Sequence, residues 1–321
     1  MTAPRPDGVP APAHTEGTLS SGQYRQAWTV EAPVGAVVLV HGAHEHSGRY
    51  RHVAERLAGA GYAVHALDHP GHGRSPGRRG NIGSMPAAVG GVDELVRSAA
   101  QQHPGVPLFV YGHSLGGLIA LQYLTGTPDD RVRGAVLSAP ALDTSSANAV
   151  QKVVAPLLSR VLPDLGVLTI DADTLSRDPD VVRAYRADPL NHTGRMTART
   201  GAELMSTALG MPRRLRSLTL PLLVLHGGAD RLVPPAASEV LRAHAGSPDL
   251  TVRRYDGLYH EPHNEPEQDD VLADVVDWLD AHRSTDRPTG EDDDVDRTAS
   301  PVPSPGRRSD RRHGRETDDA T

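Results

Sequence analysis

The stretch Pro107-Leu108-Phe109-Val110-Tyr111-Gly112-His113-Ser114-Leu115-Gly116-Gly117 decides the reading of this chain. A short apolar run leads into a serine with a glycine two positions away on each side. An apolar helical pattern, Leu115 to Leu124, follows. Gly and Ser are common in surface turns. A strand that feeds a helix through Gly-x-Ser-x-Gly, however, is the pattern of a sharp elbow that presents a nucleophilic serine at the end of a sheet. The glycines leave room where the two backbones close on each other. The start of the helix turns backbone N–H groups towards developing negative charge. Ser114 is therefore the candidate nucleophile.

Outward from this elbow, short apolar runs alternate with helical patterns. Strands are predicted at 36–40, 62–67, 107–111, 133–137, 220–225 and 250–255, and helices at about 47–60, 86–103, 115–126, 235–245 and 267–282. The first five runs are near-continuous, as in strands buried on both faces of a parallel sheet. The alternation implies right-handed crossovers and an α/β fold, a mostly parallel central sheet flanked by helices. In such sheets ligands bind beyond the carboxyl ends of the strands. Between Leu142 and Ser217 no strand run appears. Ala147, Val150, Val154, Leu157 and Val161, widened by Val153 and Leu158, fall on one helical face instead. A helical cap is expected over 143–216, inserted between core segments 17–142 and 217–283. Its apolar stripe either packs on the core or faces lipid.

A serine hydroxyl needs a base, and in this kind of sheet the partners follow in the order Ser, acid, His. Asp230 lies just past the run 220–225, in His226-Gly227-Gly228-Ala229-Asp230. Asp143 is the alternative acid; Asp68 precedes Ser114, and the order argues against it. His260 follows the last strand run and precedes the final helix, with His263 as its competitor three residues on. The stretch Val40-His41-Gly42-Ala43-His44 follows the first buried strand. The backbone N–H groups of Ala43 and Leu115 are the candidate oxyanion donors, with His41 holding the loop.

With these residues in place, the chain resembles the monoacylglycerol lipase family of the α/β-hydrolase superfamily. The resemblance rests on His41-Gly42-Ala43, Glu45-His46-Ser47-Gly48-Arg49-Tyr50, Asp68-His69-Pro70-Gly71-His72-Gly73-Arg74-Ser75, Gly112-His113-Ser114-Leu115-Gly116-Gly117, Asp178-Pro179, Tyr185, Asp188-Pro189-Leu190 and Tyr259-His260-Glu261. It spans roughly residues 17 to 283. It implies a cap over an acyl channel and hydrolysis of monoacylglycerols to glycerol and fatty acid through an acyl-enzyme. It also implies that Glu45, Arg49, Tyr185 and His263 surround the glycerol-binding end. On chemistry alone, Glu45 and Arg49 fit a local ion pair at a helix start equally well. One departure stands out: many members carry a second glycine where this chain has His44, and a side chain there restricts the loop. A broader carboxylesterase or lysophospholipase would use the same triad. A catalytically inactive hydrolase-fold binding protein would show a broken one.

Composition narrows the remaining classes. The chain has 321 residues, 38% of them hydrophobic, enough for one large α/β domain with an insertion or for two modest domains. A formal net charge of −7 gives no global basic field for nucleic acid. Cysteine is absent, which excludes disulfides, a cysteine nucleophile and thiolate metal sites. No His and carboxylate spacing resembles a metal site, so neither metal nor organic cofactor is expected. Met1 to Gly17 has no apolar core of a secretory signal, and no apolar run approaches the ~20 residues of a membrane span. A soluble, cytoplasmic protein is expected, with transient membrane-surface contact open through the cap. Residues 1–16, with Pro4, Pro6, Pro10 and Pro12, read as a disordered arm. Residues 284–321 read as a disordered charged tail: an acidic block at Glu291 to Asp294, prolines at Pro301, Pro303 and Pro305, then Arg307, Arg308, Arg311 and Arg312.

Overall fold

The computed structural model of the protein describes residues 11–143 and 149–283. An antiparallel pair comes first, β1 (Ala13–Thr18) and β2 (Tyr24–Thr29). Strands and helices then alternate: β3 (Gly35–Val40), α1 (Arg51–Gly59), β4 (Tyr62–Leu67), α2 (Met85–Gln102), β5 (Leu108–His113), α3 (Leu115–Leu124) and β6 (Val132–Ser138). A long excursion carries α4 (Ala149–Val161), β7 (Gly166–Thr169), α5 (Pro179–Ala187), β8 (Arg195–Thr197) and α6 (Ala198–Arg214). The chain then forms β9 (Leu222–Gly227), α7 (Ala237–His244), β10 (Leu250–Tyr255) and α8 (Gln268–His282). Eight strands make one sheet in the order β1-β2-β4-β3-β5-β6-β9-β10, parallel from β4 to β10. This is the α/β architecture expected.

The unbroken apolar runs follow from burial on both faces. Along β3, Ala36, Val38 and Val40 join one core with α2, α3, α6 and α7, while Val37 and Leu39 join the other with α1 and α8. Strand side chains alternate faces, so a strand with a helix layer on each side has no face turned to solvent. Helix α2 starts where Ser84 accepts a hydrogen bond from the Ala87 N–H, with a proline in its first turn. Its buried stripe, Ala88, Val92, Leu95, Val96 and Ala99, has helical spacing.

Three expectations are corrected. The ordered fold starts before residue 17, because Ala13–Thr18 pairs in register with β2 and His14 packs on Trp28 at 5.0 Å. Neither β1 nor β2 carries an apolar run, since β1 is an edge strand exposed along its length. The excursion is not free of strands: β7 and β8 form a separate antiparallel pair. Nor does the whole of 143–216 stand apart from the core, because Ala208, Met211 and Leu215 belong to the main core. Helix α6 is the crossover that returns the chain to β9. Of the expected stripe, Leu157 and Val161 are exposed and Leu158 is half-buried. Ala147 and the side chains of Val150, Val153 and Val154 lie outside the described residues, as do residues 1–10 and 284–321. Among the described residues no helix is long and apolar enough to cross a membrane.

Candidate active site

Ser114 joins β5 to α3 with φ 52° and ψ −118°. Left-handed backbone costs a non-glycine residue about 1–2 kcal/mol, and it persists here because its surroundings hold it. The Ser114 N–H donates to the Ser138 carbonyl at the end of β6 (2.9 Å), and the Ser114 carbonyl accepts from Ala141 (3.1 Å). Gly116 lets α3 press against the loop after β3: a Cβ there would lie 2.2 Å from the Val40 carbonyl oxygen. The elbow thus sits at the carboxyl end of the central strand, where the topology predicts a site. Ser114 retains 9% exposure.

Asp230 and His260 arrive on the loops after β9 and β10. The His260 Nδ1–H donates to Asp230 Oδ2 at 2.8 Å. The second carboxylate oxygen accepts from the Leu232 and Val233 N–H groups at 2.8 and 2.9 Å, which fixes the plane of the carboxylate. Burial opposes charge on Asp230, but the neighbouring His260, the hydrogen bonds from His226 and His260 and the Val233 N–H hold it well below the usual carboxylate range. Burial likewise opposes charge on His260, and the Asp230 charge and hydrogen bond outweigh it, leaving the imidazole more basic than usual. With Nδ1 carrying the proton, Nε2 is left as the acceptor. The ring packs 4.8 Å from that of His113, the neighbour of Ser114. His113 is pushed down to about 3, by burial first and by His260 second, so it stays neutral. His260, not His263, binds Asp230; the His263 ring packs edge-on against His113 at 4.9 Å.

The loop after β3 runs beside the elbow. A Cβ on Gly42 would approach the Ser114 Cβ to 3.3 Å, so only glycine admits this contact without displacement. His41 Nε2 accepts from the His69 N–H (2.9 Å), so its Nδ1 carries the proton and donates to the Gly42 carbonyl (2.7 Å). The Gly42 N–H donates to Glu45 Oε1 at 2.6 Å. Ala43 is half-buried, and His44 takes φ 65°. The left-handed turn at 44 gives the physical reason for a glycine at this place. Here a histidine adopts it, at a cost of about 1–2 kcal/mol.

A family model described as serine aminopeptidase, S33, matches residues 31–267. The monoacylglycerol lipase of Mycolicibacterium smegmatis is 45% identical over 257 residues, 79% of this chain and 91% of that protein. The human monoglyceride lipase is 35% identical over 273 residues, covering 83% and 90%. A solved structure, the monoacylglycerol lipase of Paleococcus ferrophilus, superposes with a TM-score of 0.73 at 36% identity, covering 81% of this chain and 99% of that one. The chain belongs to the monoacylglycerol lipase family of α/β-hydrolases.

Three of the four residues that family resemblance assigns to a glycerol-binding end, Glu45, Arg49 and Tyr185, are engaged with one another and with the loops of the site. Arg49 donates to Glu45 (2.5 Å) and, through both terminal nitrogens, to Glu261 (2.7 Å each). Tyr50 also donates to Glu45 (2.6 Å). Burial and the Glu261 charge raise Glu45 against the pull of Arg49, whereas the bidentate pairing overcomes burial and holds Glu261 low. This is more than a local ion pair at a helix start, because it joins the loop after β3 to the loop carrying His260. The Arg49 guanidinium lies 4.9 Å from the Tyr185 ring centroid, and the Tyr185 hydroxyl donates to the His44 carbonyl (3.3 Å). His263 is wholly buried, stacked on Tyr50 at 4.9 Å and edge-on to His113 at 4.9 Å. Two participants escape sequence reasoning. Glu261 adjoins His260 and lends its charge to that imidazole. His226 places Nε2 3.4 Å from the same Asp230 oxygen while bonding the Val233 carbonyl. Both stand in stretches quoted from the sequence, Glu261 beside His260 and His226 four residues before Asp230, but only the fold shows what they touch.

Proposed function

We propose that this chain is a serine hydrolase that cleaves monoacylglycerols to glycerol and fatty acid through an acyl-enzyme. The observation that carries the reading is the buried Asp230–His260 pair, which raises the basicity of an imidazole packed beside the strained elbow that holds Ser114. The substrate class is supported by the names of relatives aligned over most of their length. His260 Nε2 takes the Ser114 hydroxyl proton as Oγ bonds to the ester carbonyl carbon. The Ala43 and Leu115 N–H groups hold the resulting oxyanion; one such donor is worth on the order of 10²–10³ in rate. The C–O bond to glycerol breaks, and His260 returns the proton to the leaving oxygen. Water then repeats the sequence on the acyl-enzyme and releases the fatty acid. Asp230 orients His260 and balances its charge.

The segment between β6 and α6 acts as the cap of this site. Thr174 and Leu175 accept hydrogen bonds from the His260 and Glu261 N–H groups, so the cap lies against the catalytic loop. Its outer face exposes Leu157, Val161, Leu162, Leu165, Val167 and Leu168. An apolar surface of this kind suits transient contact with a bilayer that supplies the lipid. The test is a panel of monoacylglycerols, diacylglycerols, lysophospholipids and short p-nitrophenyl esters with the protein and its Ser114→Ala variant. Preference for monoacylglycerol, lost in Ser114→Ala, is the expected result. Preference for lysophospholipid or short esters would assign a different ester substrate. Absence of turnover and of fluorophosphonate labelling would favour a binding protein. For the cap, Leu162→Glu with Leu168→Glu should weaken sedimentation with phosphatidylcholine vesicles while leaving hydrolysis of a soluble ester unchanged.

A further inference from the structure

The loop that bears Ala43 is fastened to the cap at three points. The His44 carbonyl accepts from the His192 N–H at 2.9 Å and from the Tyr185 hydroxyl at 3.3 Å. Two residues on, His46 binds Asp188 across 2.9 Å. His46 Nδ1 accepts from the Gly48 N–H (3.1 Å), so Nε2 carries the proton and donates to Asp188 Oδ2. The cap side of this fastening is a rigid turn. Asp188 Oδ1 accepts from the Leu190 N–H (2.8 Å), and the Asn191 side chain donates to the Tyr185 carbonyl (3.0 Å).

His44 is where this fastening has work to do. It holds a left-handed backbone without being glycine, its ring is buried edge-on to His192 at 4.7 Å, and its Nε2 has no hydrogen-bond partner. Such a residue relaxes to ordinary backbone angles unless its surroundings over-determine it. Relaxation at His44 would turn the Ala43–His44 peptide and, through the Ala43 Cα, load the Gly42–Ala43 peptide that carries the Ala43 N–H and whose carbonyl accepts from His41 Nδ1 at 2.7 Å. We propose that Asp188 is a positioning residue for the reaction: through His46 and the clamped His44 carbonyl, the Tyr185–His192 turn of the cap sets the direction of the Ala43 N–H. The inference rests on the reading of Ala43 as an oxyanion donor. It assigns the cap a part in transition-state stabilisation besides covering the acyl chain.

The test compares Asp188→Ala, Asp188→Asn, His44→Gly and the double variant His44→Gly/Asp188→Ala, with Glu239→Ala, on an exposed ion pair of α7, as a control for lost surface charge. The readouts are kcat and KM on p-nitrophenyl butyrate, and inhibition by a trifluoromethyl ketone, whose serine adduct carries an oxyanion. Asp188→Ala should lower kcat about tenfold, less than the loss of a whole donor, with KM nearly unchanged. The ketone should weaken by the same factor. Asp188→Asn, which keeps an acceptor for His46, should recover most of the loss. In the His44→Gly background, where glycine holds the turn unaided, Asp188→Ala should cost less than about twofold. A rise in KM alone, with kcat and the ketone unaffected, would overturn the proposal, as would equal losses in both backgrounds. Should Asp188→Ala fail to fold, Tyr185→Phe removes one clamp on the His44 carbonyl and must shift kcat and ketone affinity in the same direction. Ser114→Ala runs in parallel. Activity surviving in it overturns the reading of the site, whereas its loss beside an inert Asp188→Ala overturns only the role of Asp188.

Discussion

Arg49 binds Glu45 with one guanidinium nitrogen and Glu261 with both, so a single buried cation ties the loop after β3 to the loop that carries His260. One positive charge between two carboxylates leaves a net negative charge beside the site. Glu261 and Glu45 both add to the basicity of His260. The network therefore acts on geometry and on proton affinity at once.

Arg49→Met should be among the most damaging substitutions outside the triad. It leaves Glu45 and Glu261, whose side chains are 3% and 2% exposed, without their cation. Breaking a buried pair by removing one partner costs about 3–5 kcal/mol. Urea unfolding should show a loss of that size, and Glu45→Gln with Glu261→Gln should restore part of it. A loss below ~1 kcal/mol, as for a surface pair, would show that the network contributes little to folding.

Asp230→Asn should leave the fold intact, since the amide oxygen can still accept from Leu232 and Val233, yet lower kcat by roughly 10⁴ through loss of orientation and charge. Circular dichroism and steady-state turnover check the two halves. Near-normal turnover would move the acid role to Asp143.

The acid limb of kcat/KM should have its midpoint above the ordinary histidine value of about 6.5, because His260 must be neutral to accept a proton and its pKa is raised. In Asp230→Asn the limb should move to lower pH. A limb unmoved by that substitution would separate the titrating group from this pair.

Stability should have its own acid limb. His65, His69 and His113 are pushed down to about 3, each by burial first. Their native pKa values lie below the unfolded value, so the unfolded chain binds more protons between about pH 6.5 and 3 and stability falls as pH falls through that window. Each contributes up to ~1.4 kcal/mol per pH unit. Urea midpoints should be level in this respect from pH 8 to about 6.5 and drop from there to pH 4, and a flat profile across the lower range would show that these rings are protonated in the native state.

Gly116→Ala should unfold the elbow locally. Its Cβ would meet the Val40 and His41 carbonyl oxygens at 2.2 and 2.3 Å, and backbone cannot move aside as a side chain can. Overpacking of this kind costs about 3 kcal/mol. Loss of fluorophosphonate labelling together with a lowered melting temperature is the expected pair of results.

Most of the fold legible in the sequence is strand buried on both faces, where the apolar runs are near-continuous; β10, half-buried to exposed along its length, was legible without that constraint. Strands 62–67 and 250–255 coincide with the observed ones, and the elbow announces itself through its glycines. β1 and β2 were illegible because neither carries an apolar run. Within the site, Asp230 and His260 were found by their place after strands, and the structure brings them together. His263 sits in the same loop and differs from His260 only in which way the chain turns it. No local pattern records that difference. An ion pair between Glu45 and Arg49 was one of two readings left open by the sequence, and the third member, Glu261, lies 212 residues away from Arg49 and is seen only once the chain is folded.

The excursion between β6 and β9 leaves from one strand and returns to its immediate neighbour in the sheet. The last helix of that excursion, α6, already supplies an ordinary crossover between them. The described segment from Ala149 to β8 is thus spliced into a connection that α6 makes on its own. Such an architecture lets the inserted segment be exchanged by grafting while the loops that carry Ser114, Asp230 and His260 keep their places at the strand ends.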